Sequence, residues 1–390
     1  PAAAETITGV CMRIQNVTAL SFRDPTIRHG VDVRIEDGVI TAVEPAGASW
    51  SGKASTGKIP TGKASGGAEA EEVIDGTGRY LTPGLVNTHA HTAMTLLRGS
   101  AEDVRPAEWF NRYIWMYEKN LTPEDVYTGT LLGAAEMLRA GVTAVADHYF
   151  HMERAFAAYE KAGMRANLAW AVFGVGEDAE ENLERALRFS EDCSGRSRRI
   201  SVSLGPHSPY LCPDPFLERV TAESDRLGLP MHIHVSEEPG QVERSLSERG
   251  KTPVQVLEET GVLREGTILA HAYYADDEDL RRIVRAGAGV AHCAKTYMKF
   301  ADIHDFLPRA LDAGVTIGLG TDGAASNGSL SLFETARDAA LLAKAAAGNP
   351  ELGRTEELIP LLSGGGEVIG LPNYGNIEEG APADLLLIDP

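Results

Sequence analysis

Eight short apolar runs rich in β-formers recur along the chain, and from the second onward each is followed by a stretch with helical spacing. The runs are GLVNTHAH (84–91), VTAVADHYF (142–150), ANLAWAVFG (166–174), RISVSLGPH (199–207), PMHIHVSE (230–237), TILAHAYY (267–274), AGVAHCA (288–294) and VTIGLGTD (315–322). Helical stretches are expected from Met152, over Ala179 to Ser190, Pro215 to Leu227, Val254 to Thr260, Asp276 to Ala286, Phe306 to Ala313 and Leu330 to Ala347. Strand and helix repeated in this way are the signature of an α/β fold, a (β/α)8 TIM-like barrel, expected here over residues 81–365. In that architecture chemistry collects at the carboxyl ends of the strands.

The remaining sequence suggests a second, smaller module. "VDVRIEDGVITAVEP" alternates apolar and polar residues around Asp37-Gly38, a hairpin turn, and pairs with the run from Val10 to Phe22. Residues 1–80 are therefore expected to form the amino-terminal part of a small β-sandwich. The tail, 366–390, is expected to complete it by returning a strand to the hairpins. Between 47 and 72 the composition falls to Gly, Ala, Ser and Lys, as expected of a surface insertion that buries little. The sequence stops directly after a strand at Pro390, where further strands are expected, so it reads as truncated.

Composition narrows the partners. A formal net charge of −20 repels phosphate backbones and anionic lipid, so neither nucleic acid nor a membrane surface is expected. Four scattered cysteines, Cys11, Cys193, Cys212 and Cys293, form no C-x-x-C pair and suggest neither a disulfide framework nor a zinc knuckle. The reducing cytoplasm is the expected compartment. Neither a secretory leader nor an apolar run of spanning length is read in the sequence.

The first strand ends in His89-x-His91. Side chains two apart on a strand share a face, so both imidazoles can reach one ion. Other strand ends supply His207, His234, Glu237, His271 and Asp322. His232 shares the face of His234, and spacing alone does not say which of the two would bind metal.

With "PGLVNTHAHTAMTLLRG", "LTPEDVY", "SLGPHSPYLC", "HVSEE" and "GLGTDGAASN" in this order, nearly the whole chain resembles the amidohydrolase superfamily, and within it the 5′-methylthioadenosine/S-adenosylhomocysteine deaminases and related adenosine-type deaminases. The resemblance implies one divalent metal, most often zinc with Fe2+ or Mn2+ as alternatives, held by His89, His91, His234 and Asp322. It implies Asp322 as acceptor of the proton of water, Glu237 as proton shuttle to the ring nitrogen and His271 as the group that holds the attacking hydroxide. His207, Glu118 and Trp109 are implied to contact the substrate, Glu118 by accepting hydrogen bonds from the ribose hydroxyls. The implied reaction is hydrolytic deamination of an adenosine-type nucleoside, such as 5′-methylthioadenosine, 5′-deoxyadenosine, adenosine or a related 5′-modified adenosine, to the inosine-type product and ammonia, for which general acid-base groups and an acidified water are needed. A bridging lysine is absent from the fourth strand end, "SLGPHS", which favours one metal. A homo-oligomer is possible.

Two departures from the family pattern bear on the substrate. In and after the run at 288–294, "HCAKTYMKFADIH" has Ala294 for Pro and Tyr297 for Asn, so one wall of the pocket is expected to differ. After the third strand, where relatives place arginines for an amino-acid tail, "NLAWAVFGVGEDAEEN" carries Trp170 and acids, so a neutral 5′ group is expected. The competing readings are deamination of guanine or a pterin, hydrolysis of a triazine, and a catalytically inactive binding homologue. The cytidine-deaminase type of zinc site is excluded, because no H-x-E followed by P-C-x-x-C occurs.

Overall fold

The computed structural model describes residues 11–47 and 72–390, so the expected 47–72 insertion lies, but for its two ends, outside the described residues. The described chain divides into two units, one running up to Gly84 and including Pro372–Pro390, the other Leu85–Leu371.

The smaller unit is a six-stranded mixed sheet. It contains β1 (Cys11–Ser21), β2 (Thr26–Glu36), β3 (Val39–Pro45), β4 (Glu72–Asp75), β5 (Tyr80–Pro83) and, from the far end of the chain, Leu385–Ile388. Asp37 and Gly38, with φ of 50° and 80°, turn β2 into β3 and leave Glu36 opposite Val39. Positive φ at both turn residues gives the twist an antiparallel pair needs. One face buries Ile14, Val17, Val33, Ile40, Leu81 and Ile377 together, so the core draws on both chain ends.

The tail strand does not pair with the hairpins, as the sequence reading expected. It runs antiparallel to β5, with Leu387 opposite Leu81. Without the tail strand the sheet ends in β3 on one side and in β5 on the other, and the tail strand adds to the β5 edge. Only the stretch before the tail strand meets the hairpin, through a bridge of Val39 with Pro382.

The larger unit holds the eight runs as β6 (Leu85–His91), β7 (Val142–Tyr149), β8 (Arg165–Val172), β9 (Ile200–Pro206), β10 (His232–Val235), β11 (Ile268–His271), β12 (Gly289–His292) and β13 (Thr316–Leu319), followed by the two-residue β14 (Asp322–Gly323). Pairing is parallel from β6 through β9 and from β10 through β13, and a parallel bridge of Leu204 with Met231 links the two series. β14 returns to β6, setting Asp322 opposite Ala90. There the Asn87 amide donates to Thr321 Oγ1 at 2.8 Å and accepts from the Thr321 backbone at 3.0 Å. Gly318 allows this approach, since a Cβ there would stand 2.2 Å from Thr88 Cγ2. The strands are almost wholly buried, as expected where helices cover a parallel sheet.

The expected helices form close to their expected limits, for example Ala179–Cys193, Asp214–Leu227 and Leu332–Ala347. A further helix, Pro123–Arg139, begins at a capping box in which Thr122 and Asp125 satisfy each other's backbone N–H. Its Gly129 lies against the turn after β6, where a Cβ would come within 2.6 Å of the Ala93 carbonyl. This helix thereby steadies the segment that follows His91. Among the described residues no helix is long and apolar enough to cross a membrane.

Candidate active site

At the carboxyl ends of the strands lies a cavity of about 430 Å³. It is lined by His91, His207, His234, Glu237, His271 and Asp322, and by Trp109 and Glu118 from the segment after β6. His89 lies beneath its floor, fully buried. All nine residues singled out by the sequence, Asp322 among them in two roles, thus gather in or under one cavity.

The floor is held by contacts that orient each ring. His91 Nδ1 donates to the His148 carbonyl at 2.5 Å, and His234 Nδ1 donates to the His207 carbonyl at 3.0 Å. A carbonyl can only accept, so both protons sit on Nδ1 and both Nε2 lone pairs face inward. These two Nε2 atoms are 3.4 Å apart, and His91 Nε2 is 3.3 Å from Asp322 Oδ1. His89 Nε2 lies 3.6 Å from the same oxygen and makes no hydrogen bond. Depth separates the two histidines that spacing left together: His234 faces His91, whereas His232 Nε2 sits behind the floor against His89 Nδ1 at 2.9 Å.

Asp322 uses its oxygens differently. Oδ2 accepts from Thr296 Oγ1 at 3.0 Å and Ser326 Oγ at 2.8 Å, leaving Oδ1 to the imidazoles. Burial alone would raise this carboxyl, but the His89 contact and the neighbouring His91 and His271 outweigh it and hold it well below the usual carboxylate range. Asp322 and His271 also have left-handed backbones, with φ of 59° and 73°. Such conformations cost an L-residue on the order of 1–3 kcal/mol and collect where side chains must be aimed. Beside them, His271 Nε2 stands 3.6 Å from Glu237 Oε1, and the Tyr210 hydroxyl donates to Glu237 Oε2 at 3.4 Å.

The outer wall is mostly aromatic. His207 stacks between Phe173 and His234, at centroid distances of 4.8 and 4.6 Å, and burial pushes its imidazole down to about 3. Glu118 is only 9% exposed, and burial raises its carboxyl. Trp109 opens a π-helical turn, Trp109–Ile114, and its ring packs edge-on to Phe300 at 5.8 Å. Four residues the sequence reading passed over belong here: His148, Thr296 and Ser326, which hold His91 and Asp322, and Arg244, which lines the cavity from the helix Pro239–Arg249. Among the described residues the Arg244 guanidinium has no ion-pair partner, and it is the cavity's one Lys or Arg. The "SEE" before that helix, with Arg244 one to two turns on, was the available signal.

The floor fits a divalent cation. Ligand atoms of His89, His91 and His234 lie within 4.8 Å of one another, as do those of His89, His271 and Asp322. Burial pushes His89 down to about 3, so its ring is neutral, and with its proton on Nδ1 toward His232 Nε2 its orphaned Nε2 offers a lone pair. Imidazole nitrogens with one carboxylate oxygen are the donor set of first-row divalent metals.

Comparison with known proteins agrees with this geometry. The profile of the amidohydrolase family matches residues 80–390. A 5-methylthioadenosine/S-adenosylhomocysteine deaminase of Desulforudis audaxviator is 43% identical over 331 residues, covering 84% of this chain and 77% of that protein. One from Pelotomaculum thermopropionicum is 39% identical over 378 residues, covering 96% and 84%. Among solved structures, an adenosine deaminase from Xanthomonas campestris with bound zinc superposes with a TM-score of 0.87 at 29% identity, covering 98% of this chain and 85% of that one. With a profile match over most of its length and relatives this similar, the chain belongs to the amidohydrolase family.

Proposed function

We propose that this protein is a hydrolytic deaminase of adenosine-type nucleosides, converting the 6-amino purine to its 6-oxo counterpart with release of ammonia. The observation that carries the reading is one cavity holding a divalent-metal donor set, an adjacent Glu237–His271 pair and, on its wall, the buried carboxylate of Glu118. The 5-methylthioadenosine/S-adenosylhomocysteine deaminases at about 40% identity support it.

In this reading His89, His91, His234 and Asp322 hold one divalent ion, zinc in the first instance. When bound, such an ion acts as a Lewis acid that lowers the pKa of water from about 15.7 to about 7. Asp322 Oδ1, its partner oxygen already committed to Thr296 and Ser326, accepts the proton of the adding water. Glu237 delivers a proton to the ring nitrogen next to the attacked carbon, and His271 steadies the incoming oxygen. The C–O bond forms, the exocyclic C–N bond breaks, and the amine takes up a proton to leave as ammonia. Glu118 accepts hydrogen bonds from the ribose diol, with Trp109 and His207 against the nucleoside.

The fold is read as a closed (β/α)8 barrel, supported by the β14 to β6 pairing and the Asn87–Thr321 clasp. The smaller unit is read as a compact β-sandwich around the core shared by both chain ends. Glu118 favours a nucleoside over guanine, a pterin or a triazine, which have no diol to engage it. Arg244 adds a cation that the stretch after the third strand lacks, so a 5′ substituent with a carboxylate also finds a partner.

The test is ammonia release by zinc-loaded protein from adenosine, 5′-deoxyadenosine, 5′-methylthioadenosine, S-adenosylhomocysteine, aminofutalosine, guanine and pterins. A nucleoside is expected to give the highest kcat/KM. A free base or pterin turned over best would end the nucleoside reading.

A further inference from the structure

The loop after β12 is where the chain departs from the family pattern, and its short helix, Ala294–Lys299, carries Tyr297. The Tyr297 ring stacks on Tyr273 at 3.8 Å between centroids and 12° between planes. Tyr273 is itself anchored, accepting the His304 N–H at 2.8 Å. At the other end, the Tyr297 hydroxyl oxygen accepts the Cys293 backbone N–H at 3.1 Å and lies 3.3 Å from His271 Nδ1.

This contact can be made in two ways, and they are not equivalent. If His271 carried its proton on Nδ1, two N–H donors would converge on the phenol oxygen. The phenol hydrogen would then be buried with no acceptor in reach among the described residues. If the phenol donates to Nδ1, the backbone N–H, the hydroxyl and the ring nitrogen are all satisfied, as buried polar groups are in native interiors. The His271 proton then sits on Nε2, on the side of Glu237 Oε1. His271 has a backbone φ of 73°, outside the relaxed strand region, so its ring direction rests on side-chain contacts.

We propose that Tyr297 is a positioning residue that locks His271 as the Nε2–H tautomer, so that His271 presents a hydrogen-bond donor to the cavity. Two consequences follow. An imidazole protonated on Nε2 has no lone pair there, which separates His271 from the metal-holding set of His89, His91, His234 and Asp322. In the deaminase reading, on which this second consequence rests, His271 donates to the oxygen that adds to the purine carbon, and proton removal from water falls to Asp322.

The first arm of the test needs no substrate. Protein labelled with 15N in histidine is examined by two-bond nitrogen–proton correlation, with the His271 signals identified by their loss in His271→Gln. Wild type is expected to show the Nε2–H pattern, Tyr297→Phe a shift to Nδ1–H or a mixture, and Tyr273→Phe, which keeps the stack and the 297 hydroxyl, the wild-type pattern. An Nδ1–H pattern in wild type, or an unchanged Nε2–H pattern in Tyr297→Phe, overturns the proposal. In the second arm Tyr297→Phe is expected to lower kcat by about 10- to 100-fold, the usual scale for a partner that orients a site histidine, with KM and metal content little changed. A shifted tautomer with unaltered kcat would overturn the positioning role. Absence of ammonia release by wild type from every nucleoside would instead sink the deaminase reading, leaving the tautomer assignment to the first arm.

Discussion

The floor of the cavity and its outer wall are built differently. On the floor, His91, His234 and Asp322 each lean on a second group, the carbonyls of His148 and His207 and the hydroxyls of Thr296 and Ser326. His91, His234 and Asp322 themselves stand in or at the ends of short, buried parallel strands. On the wall, Trp109 and Glu118 come from a segment of short helical turns after β6, and Arg244 projects from a helix with no partner for its charge among the described residues. Rigid strands and paired donors suit a reaction that tolerates little misplacement. Loops and unpaired groups suit a wall that selects among substrates and can change without disturbing the chemistry.

If that division is right, mutations on the floor abolish turnover for every substrate, and mutations on the wall redistribute it. The largest effect is expected from His234→Ala, which removes a proposed ligand and should lose bound metal and activity together. Metal analysis of the purified variant checks this, and retention of a full equivalent of metal with normal turnover would break the comparison at its base. Glu237→Gln should keep the metal while lowering kcat by about 10²-fold or more, the usual contribution of a general acid-base group. Near-normal turnover would remove its shuttle role.

Wall substitutions should be smaller and selective. Glu118→Ala should erode the preference for adenosine over 2′-deoxyadenosine by about 1–3 kcal/mol, because a buried carboxylate facing a deoxy sugar is left underpaired. An unchanged ratio of kcat/KM would detach Glu118 from the ribose. Arg244→Gln should have the smallest effect, since an exposed ion pair contributes at most about 1 kcal/mol. It should lower kcat/KM for S-adenosylhomocysteine by up to about fivefold relative to 5′-methylthioadenosine. Equal losses for both substrates would mean that Arg244 does not read the 5′ end.

Much of the floor was legible in the sequence because it follows from local periodicity. His89 and His91 share a face through the two-residue repeat of a strand, and the polar residues after apolar runs mark strand ends. The Asp37-Gly38 turn was legible for the same reason, its backbone preference being carried by the two residues themselves. The tail strand was misplaced because the assembled sheet has two edges, β3 and β5, and which of them a strand distant in the chain joins is not written in its own residues. Arg244 was not legible because the family pattern places its cations after the third strand, whereas this one reaches the cavity from the helix after the fifth strand.

Strand and helix alternation, the metal-type donor pattern and the two departures after β12 and β8 are encoded in neighbouring residues, so the sequence alone determined them. The tertiary structure alone decided that His234 faces the floor while His232 backs His89, that Thr296 and Ser326 hold one oxygen of Asp322, and that Tyr297 meets His271. These are contacts between segments distant in the chain, and they depend on how deep each strand sits and where each loop comes to rest. Local periodicity records which face a side chain takes but not its depth along that face.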